Sequence, residues 1–134
     1  LFRSYGFGPL GYALPAAIGG KIGVGDRAVI AIAGDYGFQY TIQELGVAVE
    51  LGLSLPILLW DNGKLGEIEA SMVRAQIAPN AVIQRNPDFI KLAEAYGAAS
   101  AQPSSLAEFK CDLAAALKTD GPTIIRVTSD VALS

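Results

Sequence analysis

Residues 28–66 read AVIAIAGDYGFQYTIQELGVAVELGLSLPILLWDNGKLG, and two apolar runs separated by a helical segment decide the fold. The first run, Ala28-Val-Ile-Ala-Ile-Ala33, leads into Gly34-Asp35; the second, Leu55-Pro-Ile-Leu-Leu-Trp60, leads into Asp61-Asn62. Unbroken apolar runs of this length read as strands covered on both faces. Between them, Thr41 to Leu51 sets Ile42, Leu45 and Val49 at helical spacing, one stripe for the core. Strand, helix and strand make a β-α-β unit, whose crossover leaves the strands parallel. Asp35 and Asn62 then emerge at the same carboxyl edge, where open α/β sheets bind ligands. Two hard oxygen ligands beside glycines suit a magnesium ion carrying a phosphorylated ligand. Residues 34–40 are accordingly read as a metal loop, with Asp35 too far from Thr41 to cap the helix there. Asn62-Gly63 has an ordinary turn as its other reading.

The rest of the chain surrounds this unit. At 134 residues it reads as one domain, 1–134, with enough chain for a core. Although 51% of residues are apolar, no run approaches the roughly 18 needed to cross a bilayer. Leu1-Phe2-Arg3 leads straight into glycine-rich sequence, so no signal peptide is expected, and the missing initiator Met suggests a processed chain or an excised fragment. A net charge of -3 without a basic cluster argues against nucleic acid. The lone Cys111 excludes an internal disulfide and fits a reducing, cytoplasmic setting; without a base beside it, it reads as a packing residue. The absence of His excludes histidine metal sites and Ser-His chemistry within the chain.

Gly6-Phe-Gly8-Pro-Leu-Gly11 matches G-x-G-x-x-G, which raises a dinucleotide-binding redox domain as an alternative. That reading needs a preceding strand, for which Leu1 to Tyr5 is poor, and Pro9 removes a backbone donor. A helix starts near Leu14 with Pro15 in its first turn, and Gly25-Asp26 turns the chain into the first strand. Thr41 and Glu44 form a capping-box pattern, leaving that helix's amino end for phosphate. Residues 67–74 read as a helix; Glu67, Met72 and Arg74 are candidates for substrate contact, though a plain exposed helix is the simpler reading. Asn86-Pro87-Asp88 begins a helix with Phe89, Leu92, Ala93 and Tyr96 on its apolar side, ended by Gly97. A short strand over 98–102 follows. Ser104 or Ser105 then caps a helix carrying Leu106, Phe109, Leu113 and Leu117, and the last strand covers 123–128. The fold class is α/β: a three-layer α/β/α sandwich on a mainly parallel sheet.

Gly34-Asp35-Tyr36, then 24 residues, then Asp61-Asn62 and Leu65-Gly66, resembles the GDG…NN signature of thiamine diphosphate-dependent enzymes. The likeness is to the C-terminal cofactor domain of the acetolactate synthase and 2-oxo acid decarboxylase family. It implies Mg2+ held by Asp35, the side-chain oxygen of Asn62 and the main-chain carbonyl of Lys64, with diphosphate and water completing the octahedron. It also implies that residues 8–19 cradle the aminopyrimidine of thiamine diphosphate. Gly8 offers its carbonyl there, and Leu10 holds the cofactor folded so that its two rings touch; the alternative is that Leu10 is a core residue. Gly34, Tyr36, Gly37, Leu65 and Gly66 complete the implied cofactor contacts. Two positions depart from the pattern. Tyr36 replaces a glycine, which narrows the site and passes part of the role to Gly37, and Asp61 replaces the first Asn of the usual pair.

The family removes carbon dioxide from a 2-oxo acid and releases an aldehyde or joins the remainder to a second carbonyl compound. Its activating glutamate comes from another domain, usually of a neighbouring subunit. The resemblance therefore implies no catalytic residue in this chain, a pyrimidine-binding partner domain, a homo-oligomer, and an isolated chain without activity. The strings Leu-Leu-Trp-Asp-Asn and Gly-Glu-Ile look most like decarboxylases of the acetolactate synthase type, including those acting on guanidino-substituted 2-oxo acids. Tyr36 also admits an inactive assembly or regulatory module of the same fold.

Overall fold

The computed structural model describes residues 3, 6, 8–83 and 85–133. Helix α1 spans Ala13–Val24 with Pro15 in its first turn, where no N–H partner is missed. Then follow β1 (Ala31–Gly34), α2 (Asp35–Gln39), α3 (Glu44–Glu50), β2 (Leu55–Trp60) and α4 (Gly66–Arg74). Helix α5 (Phe89–Tyr96), β3 (Ala99–Ala101), α6 (Leu106–Ala116), β4 (Pro122–Val127) and a 3₁₀ turn, Ser129–Leu133, complete the order. The strands form one sheet in the order β1-β2-β4-β3, and every pair is parallel. Ala31 lies beside Ile57 and Gly34 beside Trp60, so the β-α-β unit brings both strand tips to one edge.

Alternation along the strands divides the layers. On one face Ala31, Ala33, Ile57, Leu59 and Ile124 meet the buried residues of α1, α2, α3 and α5. Leu45, Ile57 and Leu59 are fully buried, each contributing about 1.5–3 kcal/mol relative to exposure. Phe38 and Phe89 meet edge to face at 6.1 Å. On the other face α6 packs against β4 and β2. Helices thus cover both sides of a parallel sheet, as expected of an α/β/α sandwich. Among the described residues no helix is long and apolar enough to cross a membrane.

Several local expectations are corrected. The first strand begins at Ala31, and only one of its faces is covered: Ala31 and Ala33 are buried while Ile32 is 65% exposed. The strand order leaves β1 at an edge, and α6 packs on β2 and β4 instead. Residues 34–40, read as a loop, contain α2, and the helix expected from Thr41 begins at Glu44. The Thr41–Glu44 capping box does not form: the Glu44 N–H donates to the Thr41 main-chain carbonyl at 3.0 Å, while the Thr41 hydroxyl donates to the Gly11 carbonyl at 2.9 Å. The Thr41 N–H donates to the Phe38 carbonyl, so that amide is not free for phosphate.

Pro87 lies outside α5; Asp88 caps it instead, accepting from the N–H groups of Ile90 and Lys91 at 3.1 Å each. Ser105 caps α6, and Glu108 reaches back to Ser104. Cys111 is exposed rather than packed, since α6 buries only Ala116. The strand required by the dinucleotide reading falls on residues 1–5, of which only Arg3 is described.

Candidate cofactor and metal site

The site begins where two parallel strands stop. Gly34 ends β1 and Asp35 opens α2; Trp60 ends β2 and residues 61–64 turn. Asp35 is 2% exposed, and its carboxylate joins the two segments. Oδ1 accepts the N–H of Tyr36 at 2.8 Å, while Oδ2 accepts the Gly63 N–H at 2.7 Å and Asn86 Nδ2 at 2.7 Å. Gly63 has φ +66, a left-handed conformation that other residues adopt at a cost, so the turn depends on it. Asn62 Oδ1 accepts the Lys64 N–H at 3.2 Å, so the ordinary turn read as its alternative is present at the same place.

The Lys64 ammonium is engaged by Glu69 at 2.7 Å, which leaves its main chain as the part available to a cation. Lys64 forms an antiparallel bridge with Ile83, and the Leu65 N–H donates to Val82 at 2.8 Å, pinning the turn from outside. Gly66 lies beside it: a side-chain carbon there would sit 3.3 Å from Asn62 Nδ2.

This donor set fits a magnesium ion. A carboxylate offers about four acceptor positions, and three on Asp35 are filled by neutral donors. Among the described residues no Lys or Arg forms an ion pair with it. A buried anion with an open acceptor position, beside an amide oxygen and a peptide carbonyl, supplies the hard ligands that magnesium prefers. Among the described residues no group of three or more His, Cys, Asp or Glu forms a metal cluster, so this arrangement rests on one carboxylate.

A cleft of about 700 Å³ runs along β1 and α1, and Gly8, Leu10, Gly11, Gly34 and Gly37 line it. It therefore joins the loop expected to cradle a pyrimidine to the strand tip expected to hold a diphosphate. Leu10 is 47% exposed and is not a core residue. Its Cδ2 lies 3.8 Å from where a side chain on Gly37 would begin. A side-chain carbon on Gly34 would meet nothing within 4 Å, which marks open space at the β1 tip. Tyr36 is buried, and Gly34 and Gly37 rather than its ring line the cleft. Among the described residues its hydroxyl has no partner; burial, then the charges of Asp35 and Tyr40, push its pKa up.

Gly11 holds the loop against the body of the domain. Its φ is +90, and a Cβ there would lie 2.9 Å from Thr41 Cγ2 and 3.1 Å from Tyr40 Cβ. Gly11→Ala is expected to lose about 1–3 kcal/mol of stability and to shift Leu10 with the loop. Thermal unfolding and cofactor titration of the complete polypeptide check this; unchanged melting and affinity would show that the contact does not set the loop.

Sequence reasoning missed the network that ties the site together. Asp61 accepts Asn86 Nδ2 at Oδ1 and Arg126 Nε at Oδ2, both at 2.7 Å. Arg126 also donates to Gln102 Oε1 at 2.9 Å, and Gln39 Nε2 donates at 3.1 Å to both the Asn86 side-chain oxygen and the Asp35 carbonyl. Burial pushes the Asp61 carboxyl up, but the Arg126 hydrogen bond, the Asn86 amide and the Arg126 charge together hold it below its ordinary value. Arg126 left a signal, being the one charge inside an apolar strand, where a partner is expected. Asn86 left only an Asn-Pro turn dipeptide. Glu67 and Arg74 are exposed on α4, which buries no residue, in line with the simpler reading of that helix.

A family model described as thiamine pyrophosphate enzyme, C-terminal TPP binding domain, matches residues 1–127. The chain is 46% identical over 123 residues to the probable 2-ketoarginine decarboxylase AruI of Pseudomonas aeruginosa, covering 91% of this chain and 22% of that protein. It is 36% identical over 128 residues to the mitochondrial acetolactate synthase catalytic subunit of Saccharomyces cerevisiae, covering 95% of this chain and 19% of that one. The fold overlays the thiamine diphosphate-dependent 4-hydroxybenzoylformate decarboxylase of Rhodococcus jostii RHA1 with a TM-score of 0.83 and 29% identity, over 93% of this chain and 24% of that chain. The chain thus spans about a fifth of the length of these curated relatives.

Proposed function

This chain belongs to the thiamine pyrophosphate enzymes, as their C-terminal TPP binding domain, and from that premise we propose that it anchors the cofactor of a 2-oxo acid decarboxylase. The observation that carries the reading is the junction of Asp35 with the 61–64 turn through the Gly63 N–H. Asp35, Asn62 Oδ1 and the Lys64 carbonyl would hold Mg2+, and with it the cofactor's diphosphate. Gly34 and Gly37 would leave the diphosphate room, and Leu10, whose Cδ2 lies 3.8 Å from where a side chain on Gly37 would begin, would bear on the fold of the bound molecule. Bound there, thiamine diphosphate supplies the carbon nucleophile and electron sink that decarboxylation requires.

Among the described residues lining the cleft there is no Asp or Glu, and Arg3 is the one charged side chain. On this reading the carboxylate that activates the pyrimidine is supplied by another domain, in a larger polypeptide or a neighbouring subunit. An assembly of two or more copies around that shared site follows from this reading. The open space at Gly34, where a side-chain carbon would meet nothing within 4 Å, favours an active site over an inactive module.

The substrate is proposed to be a 2-oxo acid with a cationic guanidino end. Greater identity to the 2-ketoarginine decarboxylase than to the acetolactate synthase supports it. With Mg2+ and thiamine diphosphate, the complete polypeptide is expected to release carbon dioxide faster from 5-guanidino-2-oxopentanoate than from pyruvate. Preference for pyruvate, with acetolactate as product, would replace the substrate assignment and keep the cofactor role. Failure to bind thiamine diphosphate with Mg2+ would remove both.

A further inference from the structure

We propose that Asn86 is a positioning residue that fixes the metal-facing carboxylate of Asp35. The proposal rests on the reading of Asp35 as a magnesium ligand. Asn86 lies 51 residues beyond Asp35 and 25 beyond Asp61, yet its Nδ2 donates to both carboxylates at 2.7 Å. A primary amide has two protons on that nitrogen, so both are committed. Its Oδ1 is held in turn by Gln39 Nε2 at 3.1 Å. Reversing the amide would point its oxygen at two carboxylates and remove the Gln39 bond, so one orientation is strongly preferred. The segment itself is anchored one turn later, where Asp88 caps α5 and Phe89 enters the core at 1% exposure.

The consequence for a cation is geometric. Asn86 and the Gly63 N–H together hold Oδ2 of Asp35, while among the described residues Oδ1 accepts only the Tyr36 N–H. One oxygen is thereby fixed by the protein and the other left with an open position. Without Asn86, Asp35 and Asp61 would lose the donor they share, and like charge would drive them apart. Magnesium tolerates displaced ligands poorly, whereas calcium accepts longer and less regular coordination. Asn86 therefore acts on both the affinity for Mg2+ and the preference for Mg2+ over Ca2+.

The test uses the complete polypeptide carrying this chain. Mg2+ and Ca2+ are titrated at saturating thiamine diphosphate, followed by calorimetry and by the fluorescence of Trp60. Asn86→Ala is expected to weaken Mg2+ by about 10–100-fold, the usual effect of losing a partner of a metal ligand. It should also shrink the Mg2+ over Ca2+ preference severalfold. Gln39→Ala, which frees the amide without removing it, should move both readings the same way by less, and decides the matter if Asn86→Ala does not fold.

A purely structural role would lower the melting temperature of the unloaded protein and leave the ion preference where it was; that result overturns the proposal. Unchanged Mg2+ affinity in Asn86→Ala, while Asp35→Asn is crippled, overturns the role of Asn86 alone. Normal Mg2+ binding by Asp35→Asn overturns the metal reading beneath it.

Discussion

Asp35→Asn is expected to abolish measurable uptake of thiamine diphosphate and Mg2+ while leaving the parallel sheet folded. The substitution keeps the shape of the side chain but removes its charge and turns one acceptor into a donor. In the native arrangement three donors converge on this group, from Tyr36, Gly63 and Asn86. An Asn amide must point its NH2 at one of those donors, leaving a buried pair unsatisfied at a cost of about 1–3 kcal/mol. The larger loss is to the cation, which would meet a neutral amide where it now meets a buried anion. Partners of metal ligands typically account for about 10–100-fold in affinity, and loss of the one charged ligand should exceed the upper figure. Calorimetry with both components checks this, and circular dichroism checks the fold. A variant that binds within a few-fold of the wild type would remove Asp35 from the ligand set.

Arg126→Leu is the second large effect, and it falls on stability. Asp61 is almost completely buried, and its partner Arg126 is about one-third exposed. Removing Arg126 strands a carboxylate at the carboxyl edge of the sheet, with Asn86 as its one remaining side-chain donor among the described residues. Breaking a buried pair costs about 3–5 kcal/mol, and the partial exposure of Arg126 places this case near about 3. For a domain of this size that is a fall of roughly 10 °C in melting temperature. The double variant Asp61→Asn/Arg126→Leu removes the stranded charge and should recover more than half of the loss. A double variant as unstable as the single one would show that the two side chains are not energetically coupled.

The same pair carries a pH dependence whose sign is fixed. The folded-state pKa of Asp61 is lowered, so its contribution to stability is full above the unfolded value of about 4. That contribution is lost as pH falls through the lower folded value. The gap between wild type and Arg126→Leu should therefore be widest near neutrality and narrow below about pH 4. A gap that stays constant in acid would assign the loss to packing of the Arg126 stem.

The particular residues that were legible, and those that were not, differ in one physical respect. Leu55 to Trp60 form a strand over the bounds their apolar run predicts, and Gly97 ends α5 in the left-handed conformation expected of it. Asp35 and the 61–64 turn come together, through the Gly63 N–H, because each follows the end of a parallel strand, a relation that spacing alone expresses. Thr41 misled, because the Glu44 N–H closes a turn on its main-chain carbonyl and its hydroxyl is drawn to the Gly11 carbonyl 30 residues earlier. Ile32 misled because the strand order, not its own run, decides whether its second face is covered.

By itself the sequence determined the parallel crossover and the two strand tips, because apolar periodicity and turn chemistry act over a few neighbouring residues. Only the tertiary structure decided that Asn86 would span two carboxylates and that Arg126 would reach back 65 positions to Asp61. Those contacts depend on where packing carries residues that share no local pattern, and the residues around a buried anion are chosen by reach rather than by order along the chain.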